Sequence, residues 1–408
     1  MTSAPVTPKL HRVLINAVAQ NITSILNEKQ KADKVLERCF KANKQWGKRD
    51  RSFIANTTYE IVRWYRNYCF ALNMEYLKPL TPKDCLALID LHLILTNQLD
   101  ANKIFTDKEY KQVQQRFAQA ADNIALQQSY PDWIATSGIA TEELIALNIP
   151  ASLVVRVNTL TTTNAKAEEQ FVAENIRFEK ITNPNFSPLK NGYILPNRPN
   201  IFGTQLFKQG GVEVQDAGSQ MIAHYLDVQE GMRVIDACAG AGGKTLYLAA
   251  LMHNKGKIIS LDTEAHKLEE LQKRAKRNGV TIVETRPIES SKSIKRLHNT
   301  ADRLLLDVPC SGLGVLRRNP DAKWKLTPGF VTEVCAIQQH ILSNYTTMLK
   351  VGGVAVYATC SLLSQENELQ VQQFLSANTN YELLREQYIL PSMGFDGFYM
   401  AAIKKLSE

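Results

Sequence analysis

Between about residue 211 and residue 360 short apolar segments alternate with helical ones, and this alternation restricts the possible folds more than any other feature. The segments are MRVIDAC (232–238), KIISLD (257–262), TIVETR (281–286), RLLLDVPC (303–310) and VAVYATC (354–360). Apolar runs of this length, joined by helices, satisfy their backbone as parallel strands covered on both faces. The expected class is therefore α/β with a Rossmann-like sheet. YELLREQYIL (381–390) and GFYMAAIKKL (397–406) are expected to pair at its edge. Ligands of such sheets bind beyond the carboxyl ends of the strands, so the residues that close each strand are the candidates for function.

Upstream the period changes. Leu14, Val18, Ile22 and Ile25 form one helical stripe, and Phe53, Ile54, Thr57, Ile61, Val62 and Tyr65 another. Thr81 offers an N-cap, Pro82 the first helical position and Asp84 an acid in the first turn of a helix whose continuation, LALIDLHLIL (86–95), is apolar nearly all round. That helix is expected at the centre of an all-α domain over residues 1–143. LVVRVNTL (153–160), AKAEEQFVAENI (165–176) and RFEKI (177–181) read as strand, helix and strand, a small α+β module over 150–205 whose end is broken up by Pro184, Pro188, Pro196 and Pro199. Residues 206–408 form the third domain.

Composition removes several classes. The first residues lack the apolar core of a signal peptide, and no segment holds the roughly 20 apolar residues of a membrane span. Seven cysteines without regular spacing do not make a disulfide framework, which fits the cytoplasm. Seven histidines with no zinc-hydrolase pattern, and no fourth ligand beside Cys238, Cys310 and Cys360, argue against a metal. A net charge of +8 and a pI near 9.0 favour a polyanionic partner such as RNA.

The first strand ends in Asp236-Ala-Cys238-Ala239-Gly240-Ala-Gly242-Gly243-Lys244-Thr245, a glycine-rich turn opening a helix. A phosphate-binding P-loop needs a glycine where Cys238 stands, and a dinucleotide fingerprint needs Gly or Ala where Thr245 stands. A third reading is an S-adenosylmethionine pocket, in which an acid ending the second strand binds the ribose. Asp262 is that acid. A turn serving tight packing alone is the bland alternative.

The fourth strand ends in Asp307-Val-Pro309-Cys310-Ser-Gly312 and the fifth in Thr359-Cys360-Ser361, so two thiols face one cleft. Cys39, Cys69, Cys85 and Cys335 read instead as small buried hydrophobes. Two thiols beside a methyl donor suit cytosine, whose C5 is a poor nucleophile until a thiolate adds to C6. Lys244 and a sulfonium would favour the thiolate, and Asp307 is placed to contact the exocyclic amine and N3.

Asp236-Ala-Cys-Ala with Gly242-Gly-Lys-Thr245, Asp307-Val-Pro-Cys-Ser-Gly312, Arg318-Asn-Pro-Asp-Ala-Lys-Trp324 and Ala358-Thr-Cys-Ser361 together resemble the Sun/RsmB-type RNA (cytosine-5) methyltransferases. The likeness extends to Arg156-Val-Asn-Thr159, Val214-Gln-Asp-Ala217 and Asp396-Gly-Phe398, and so covers most of residues 150–408. It implies a class I methyltransferase sheet, a small RRM-like module and an N-terminal NusB-like RNA-binding domain, with S-adenosyl-L-methionine as cofactor and small-subunit ribosomal RNA as substrate. It also implies that Cys360 is the nucleophile, that Cys310 promotes product release, that Lys244 and Asp307 contact the base, and that Asp262 holds the cofactor ribose. The remaining cofactor-binding residues are expected to be Asp236, Cys238, Ala239, Gly240, Gly242, Gly243, Lys244 and Asp307. In DNA cytosine methyltransferases the Pro-Cys thiol attacks, so the Thr-Cys thiol favours an RNA enzyme.

Ala241 stands where the family has proline, Gly218 is a smaller deviation, and Thr285-Arg-Pro-Ile288 lacks an aspartate expected to face the adenine, for which Glu289 is the substitute. These departures motivate a rival reading, an RNA-binding ribosome assembly factor with a degenerate methyltransferase fold. For holding RNA, Lys41, Lys44, Lys48, Arg49, Arg51, Arg63 and Arg66 surround Trp46, Trp64 and Tyr65. KRAKRN (273–278) is a second basic run. Arg317, Arg318, Lys323 and Lys325 around Trp324 follow the Pro-Cys turn and are expected to rim the cleft.

Overall fold

The computed structural model describes residues 11–408. The signal-peptide reading falls partly on residues 1–10, outside the described residues. The chain divides into two compact units, Met1–Ile149 with Leu316–Thr327, and Pro150–Val315 with Pro328–Glu408.

The first unit is helical. Its stripes face inward as the periodicity requires: Val18, Ile22, Ile25, Ile54, Ile61 and Val62 are all inaccessible to solvent. The helix Pro82–Leu95 starts at a capping box, with Thr81 Oγ1 accepting from Asp84 N at 3.3 Å and Asp84 Oδ2 accepting from Thr81 N at 2.8 Å. Such a cap stabilises a helix by about 1 kcal/mol. Cys85, Leu88, Ile89, Leu91, His92, Leu93 and Ile94 are buried around its circumference, which explains its lack of a polar face.

The second unit holds two sheets among the described residues. The smaller is antiparallel in the order β2-β3-β1-β4, formed by β1 (Leu153–Val157), β2 (Glu179–Lys180), β3 (Gly192–Leu195) and β4 (Val212–Val214). RFEKI contributes only the two exposed residues of edge strand β2. The helix Asn164–Ala173 packs Ala167 and Phe171 on this sheet's core.

The larger sheet contains β5 (Arg233–Asp236), β6 (Lys257–Asp262), β7 (Val283–Pro287), β8 (Ala301–Asp307), β9 (Leu349–Thr359), β10 (Tyr381–Ile389) and β11 (Phe398–Lys405). Its order is β10-β11-β9-β8-β5-β6-β7. The five strands β5 to β9 pair in parallel, and the two tail strands add antiparallel beyond β9. Val234, Ile235, Ile258, Ile259, Leu304, Leu305 and Leu306 are inaccessible on both faces, the burial that makes their segments continuously apolar. Because β6 lies on one side of β5 and β8 on the other, the chain reverses its winding direction at the end of β5. The crevice at such a switch point is where the candidate residues gather.

Candidate active site

The turn after β5 is shaped by two left-handed glycines, Gly240 (φ +54°) and Gly242 (φ +85°), before the helix Gly243–Leu251 begins. A methyl group added at Gly240 or Gly243 would meet no atom within 4 Å, so the backbone there borders open space. At Gly242 it would strike the Leu271 side chain at 2.4 Å. Ala239 N donates to Leu261 O at 2.9 Å, and Gly240 N to Asp262 Oδ2 at 2.8 Å, so the carboxylate ending β6 is oriented by the turn. Asp262 Oδ1 accepts from Glu264 N at 2.8 Å. The open backbone beside an oriented carboxylate suits an adenosyl ligand. Beyond β7 lies a cavity of about 620 Å³ lined by Ile288, Glu289, Ser290, Ile294 and Tyr345 among others. None of Asp236, Cys238 or Asp262 lines it, so the cavity is not the centre of the crevice.

Asp236, at the end of β5, is wholly buried and accepts from Thr245 Oγ1 at 2.6 Å. Burial raises its pKa to about 7, against the opposing bond from Thr245 and with the help of the nearby Asp307 charge. Burial also pushes the Cys238 thiol well above its usual range, with Asp236, Asp307 and Asp262 acting in the same direction.

The ends of β8 and β9 bring two thiols together. Cys310 Sγ and Cys360 Sγ are 3.2 Å apart, and Cys360 N donates to Cys310 Sγ at 3.3 Å. Both residues keep partial exposure. The hydrogen bond with Cys360, then burial and the charge of Glu366, lift the Cys310 thiol well above its usual range. Lys244 Nζ pairs with Asp307 Oδ2 at 2.5 Å and lies 5.8 Å from the Phe398 ring centre. Burial disfavours the ammonium, but Asp307 outweighs it, with Cys360 and Asp236 adding, so the Lys244 pKa is raised. The cation is thus held by Asp307 within electrostatic reach of Cys360.

Three comparisons bear on this arrangement. Residues 223–404 match the family described as 16S rRNA methyltransferase RsmB/F. A probable ribosomal RNA small subunit methyltransferase B of Bacillus subtilis is 32% identical over 308 residues, covering 69% of this chain and 68% of that protein. The chain belongs to the RsmB/F family of 16S rRNA methyltransferases. A methyltransferase homolog from Pyrococcus horikoshii, solved by crystallography, is 28% identical with a TM-score of 0.61 over 70% of this chain and 98% of its own. The crystal structure of PH0851 covers 98% of this chain and 100% of its own at a TM-score of 0.80 and 20% identity, a likeness of fold. The cofactor of this RsmB/F-family chain is S-adenosylmethionine.

The departures from the RsmB/F pattern have local accommodations. A methyl group at Gly218 would lie 2.3 Å from the Phe398 ring, so glycine lets that ring approach the helix Ala217–Tyr225. Ala241 O accepts from Arg274 Nη1 at 2.7 Å, which fixes the turn where proline would have stiffened it. Ile288 N donates to Asp262 O at 2.9 Å, so the segment after β7 is tied to the acid that ends β6, with Glu289 exposed beside it.

Two groups of expected RNA contacts are corrected. The segment 316–327 belongs to the helical unit, where Lys323 is inaccessible and Trp324 nearly so. Lys323 Nζ donates to Asn148 Oδ1 at 2.6 Å and to the carbonyls of Ser129 (3.2 Å), Arg63 (3.3 Å) and Gln128 (3.4 Å). Trp324 Nε1 donates to Val62 O at 2.7 Å, Arg317 Nε to Ile149 O at 2.9 Å, and Lys325 Nζ to Gln30 O at 2.7 Å. Arg63 and Arg66 are likewise structural: Arg63 Nη2 donates to Arg317 O at 3.2 Å and Arg66 Nη1 to Tyr130 O at 2.5 Å. Tyr65 is buried against Trp324. Lys41, Lys44, Lys48 and Arg49 remain exposed. Cys69 and Cys85 are buried as expected for packing residues, whereas Cys39 and Cys335 are half-exposed.

Sequence reasoning missed Glu366. It is inaccessible and accepts hydrogen bonds from the serines that follow both cysteines. The only signal was the repeated Cys-Ser pair at 310–311 and 360–361.

Proposed function

We propose that this chain methylates C5 of a cytosine in small-subunit ribosomal RNA through a thiolate adduct at C6. The observation that carries the reading is the pair of thiols 3.2 Å apart after the ends of adjacent parallel strands, with the half-buried Lys244 close enough to feel the charge of Cys360. In this reading Cys360 Sγ attacks C6, and the charge of Lys244 supports the thiolate. Asp307, one oxygen held by Lys244, receives the exocyclic amine with the other and so prefers cytosine to uracil. Adduct formation makes C5 enamine-like and able to accept a methyl group. Loss of the C5 proton to solvent, its electron pair expelling Cys360 Sγ from C6 as a thiolate, then restores the aromatic ring, and Cys310 beside that sulfur promotes the release.

Bound S-adenosylmethionine supplies the electrophilic methyl group. Asp262 would hold its ribose, the open backbone at Gly240 and Gly243 would border its methionine part, and Asp236 would brace the turn from below. The helical part over 1–143 and the small α+β part over 150–205 bind RNA, with exposed Lys41, Lys44, Lys48 and Arg49 offering phosphate contacts. The catalytic part is 206–408.

The test is incubation of the purified chain with S-adenosylmethionine and either small-subunit ribosomal RNA or cytosine-containing DNA, followed by nucleoside mass spectrometry. The expected product is 5-methylcytidine in the RNA only. A methyl group on another base or atom, or transfer to DNA alone, would overturn the reading.

A further inference from the structure

Glu366 is a carboxylate with no access to solvent, and its four partners are neutral donors. Oε2 accepts from Ser311 N at 2.7 Å and from Gln338 Nε2 at 3.2 Å. Oε1 accepts from Ser311 Oγ at 2.5 Å and from Ser361 Oγ at closer range. The two hydroxyls also lie 3.1 Å from each other. Ser311 directly follows Cys310 and Ser361 directly follows Cys360, so one side chain grips both cysteine turns. Its own backbone is anchored, because Tyr357 Oη donates to Glu366 O at 2.6 Å. Gln338 extends the brace by donating also to Pro309 O at 2.9 Å.

Burying a carboxylate costs free energy that hydrogen bonds only offset, and well-packed apolar residues usually stabilise a core as well or better. Stability alone therefore does not explain why a charged group joins these two turns. What a carboxylate supplies is geometry: four acceptor directions in one plane, which a hydrocarbon cannot reproduce.

We infer that Glu366 is a positioning residue of the methyl transfer, fixing Cys310 and Cys360 relative to each other through Ser311 and Ser361. The inference rests on the two-thiol reading above. Glutamine is predicted to work nearly as well. Its carbonyl can face the N–H donors of Ser311 and Gln338, and its amide can face the two hydroxyls, which rotate to accept. Alanine removes the one acceptor shared by both turns, leaving Ser311 N without its partner and only the contact between the two hydroxyls to join the serines; the turns are then freer to move, and a displacement of about 1 Å at reacting atoms costs roughly 100-fold in rate.

The experiment uses wild type, Glu366→Gln and Glu366→Ala with two readouts. The first needs no RNA: diamide removes two electrons and two protons from the Cys310–Cys360 thiol pair, and peptide mapping follows the resulting disulfide. The second is kcat and KM for methylation. Wild type and the glutamine variant are expected to cross-link at similar rates, and the alanine variant roughly tenfold more slowly. Its kcat is expected to fall about 100-fold, with KM for S-adenosylmethionine unchanged. An alanine variant with wild-type cross-linking and wild-type kcat overturns the inference. If that variant does not fold, the Ser311→Ala, Ser361→Ala double variant removes the grip while keeping the carboxylate, and the same two results decide. Slowed cross-linking in the alanine variant, in a protein that makes no 5-methylcytidine in any form, supports the positioning role and overturns the cytosine-C5 reading.

Discussion

His224 shows how a single half-buried group contributes to the response to acid. Its Nε2 lies 2.6 Å from Tyr247 Oη, and burial, reinforced by the charge of Arg156, lowers its pKa from 6.5 to about 4. The folded protein therefore resists protonation that the unfolded chain accepts. The stability this neutral ring supports is complete above pH 6.5 and is lost as pH falls from 6.5 towards 4. A His224→Gln variant, whose amide can still meet Tyr247, should lose less of its melting temperature across that window than wild type. Equal losses in the two proteins would mean that His224 is not held neutral. At this scale position was legible at the strand ends: Asp236, Asp262 and Asp307 close β5, β6 and β8, and Cys310 and Cys360 lie in the turns after β8 and β9. Glu366 was not, because it lies past the turn and its partners are hydroxyls and amides that carry no charge signature.

The two cysteine turns are joined by backbone as well as by side chains. Gly314 N donates to Cys360 O at 2.9 Å, and Gly397 N donates to Gly314 O at 2.8 Å, which links the Pro-Cys turn, the Thr-Cys turn and the segment before β11. A methyl group at Gly314 would lie 2.2 Å from Gly397 O and 2.9 Å from Cys360 O, both backbone atoms that cannot swing aside. Gly314→Ala should therefore destabilise the protein by about 1–3 kcal/mol in urea unfolding and reduce methylation. Gly312→Ala is the contrast: its new methyl group meets only Val315 at 3.7 Å, although its φ of +73° adds strain. Its loss of activity should be the smaller, and the reverse order would contradict this account of the junction. The parallel strands were legible because burial on both faces leaves no polar alternation to confuse them. The shortness of β2 was not legible, since an edge strand with charged, exposed residues carries no burial pattern.

At the scale of the whole chain, linear order misleads at one place. The polypeptide leaves the catalytic unit after Val315, contributes Leu316–Thr327 to the helical unit, and re-enters at Pro328. Proximity in sequence to Cys310 suggested that Arg317, Lys323 and Trp324 border the cleft, and no local periodicity could reveal that their partners are Arg63, Val62, Ser129 and Asn148. The family motif Arg318–Trp324 thus belongs to the architecture of the helical unit. The division into a helical part and a sheet-bearing part was readable from the change of hydrophobic period, and the basic excess from composition. Trapping tests the proposed division of labour between the two thiols most directly. Wild type, Cys310→Ala and Cys360→Ala are each incubated with small-subunit ribosomal RNA and S-adenosylmethionine and run on a denaturing gel. The account predicts a stable protein–RNA adduct with Cys310→Ala and none with Cys360→Ala. An adduct that persists in Cys360→Ala and disappears in Cys310→Ala would contradict it.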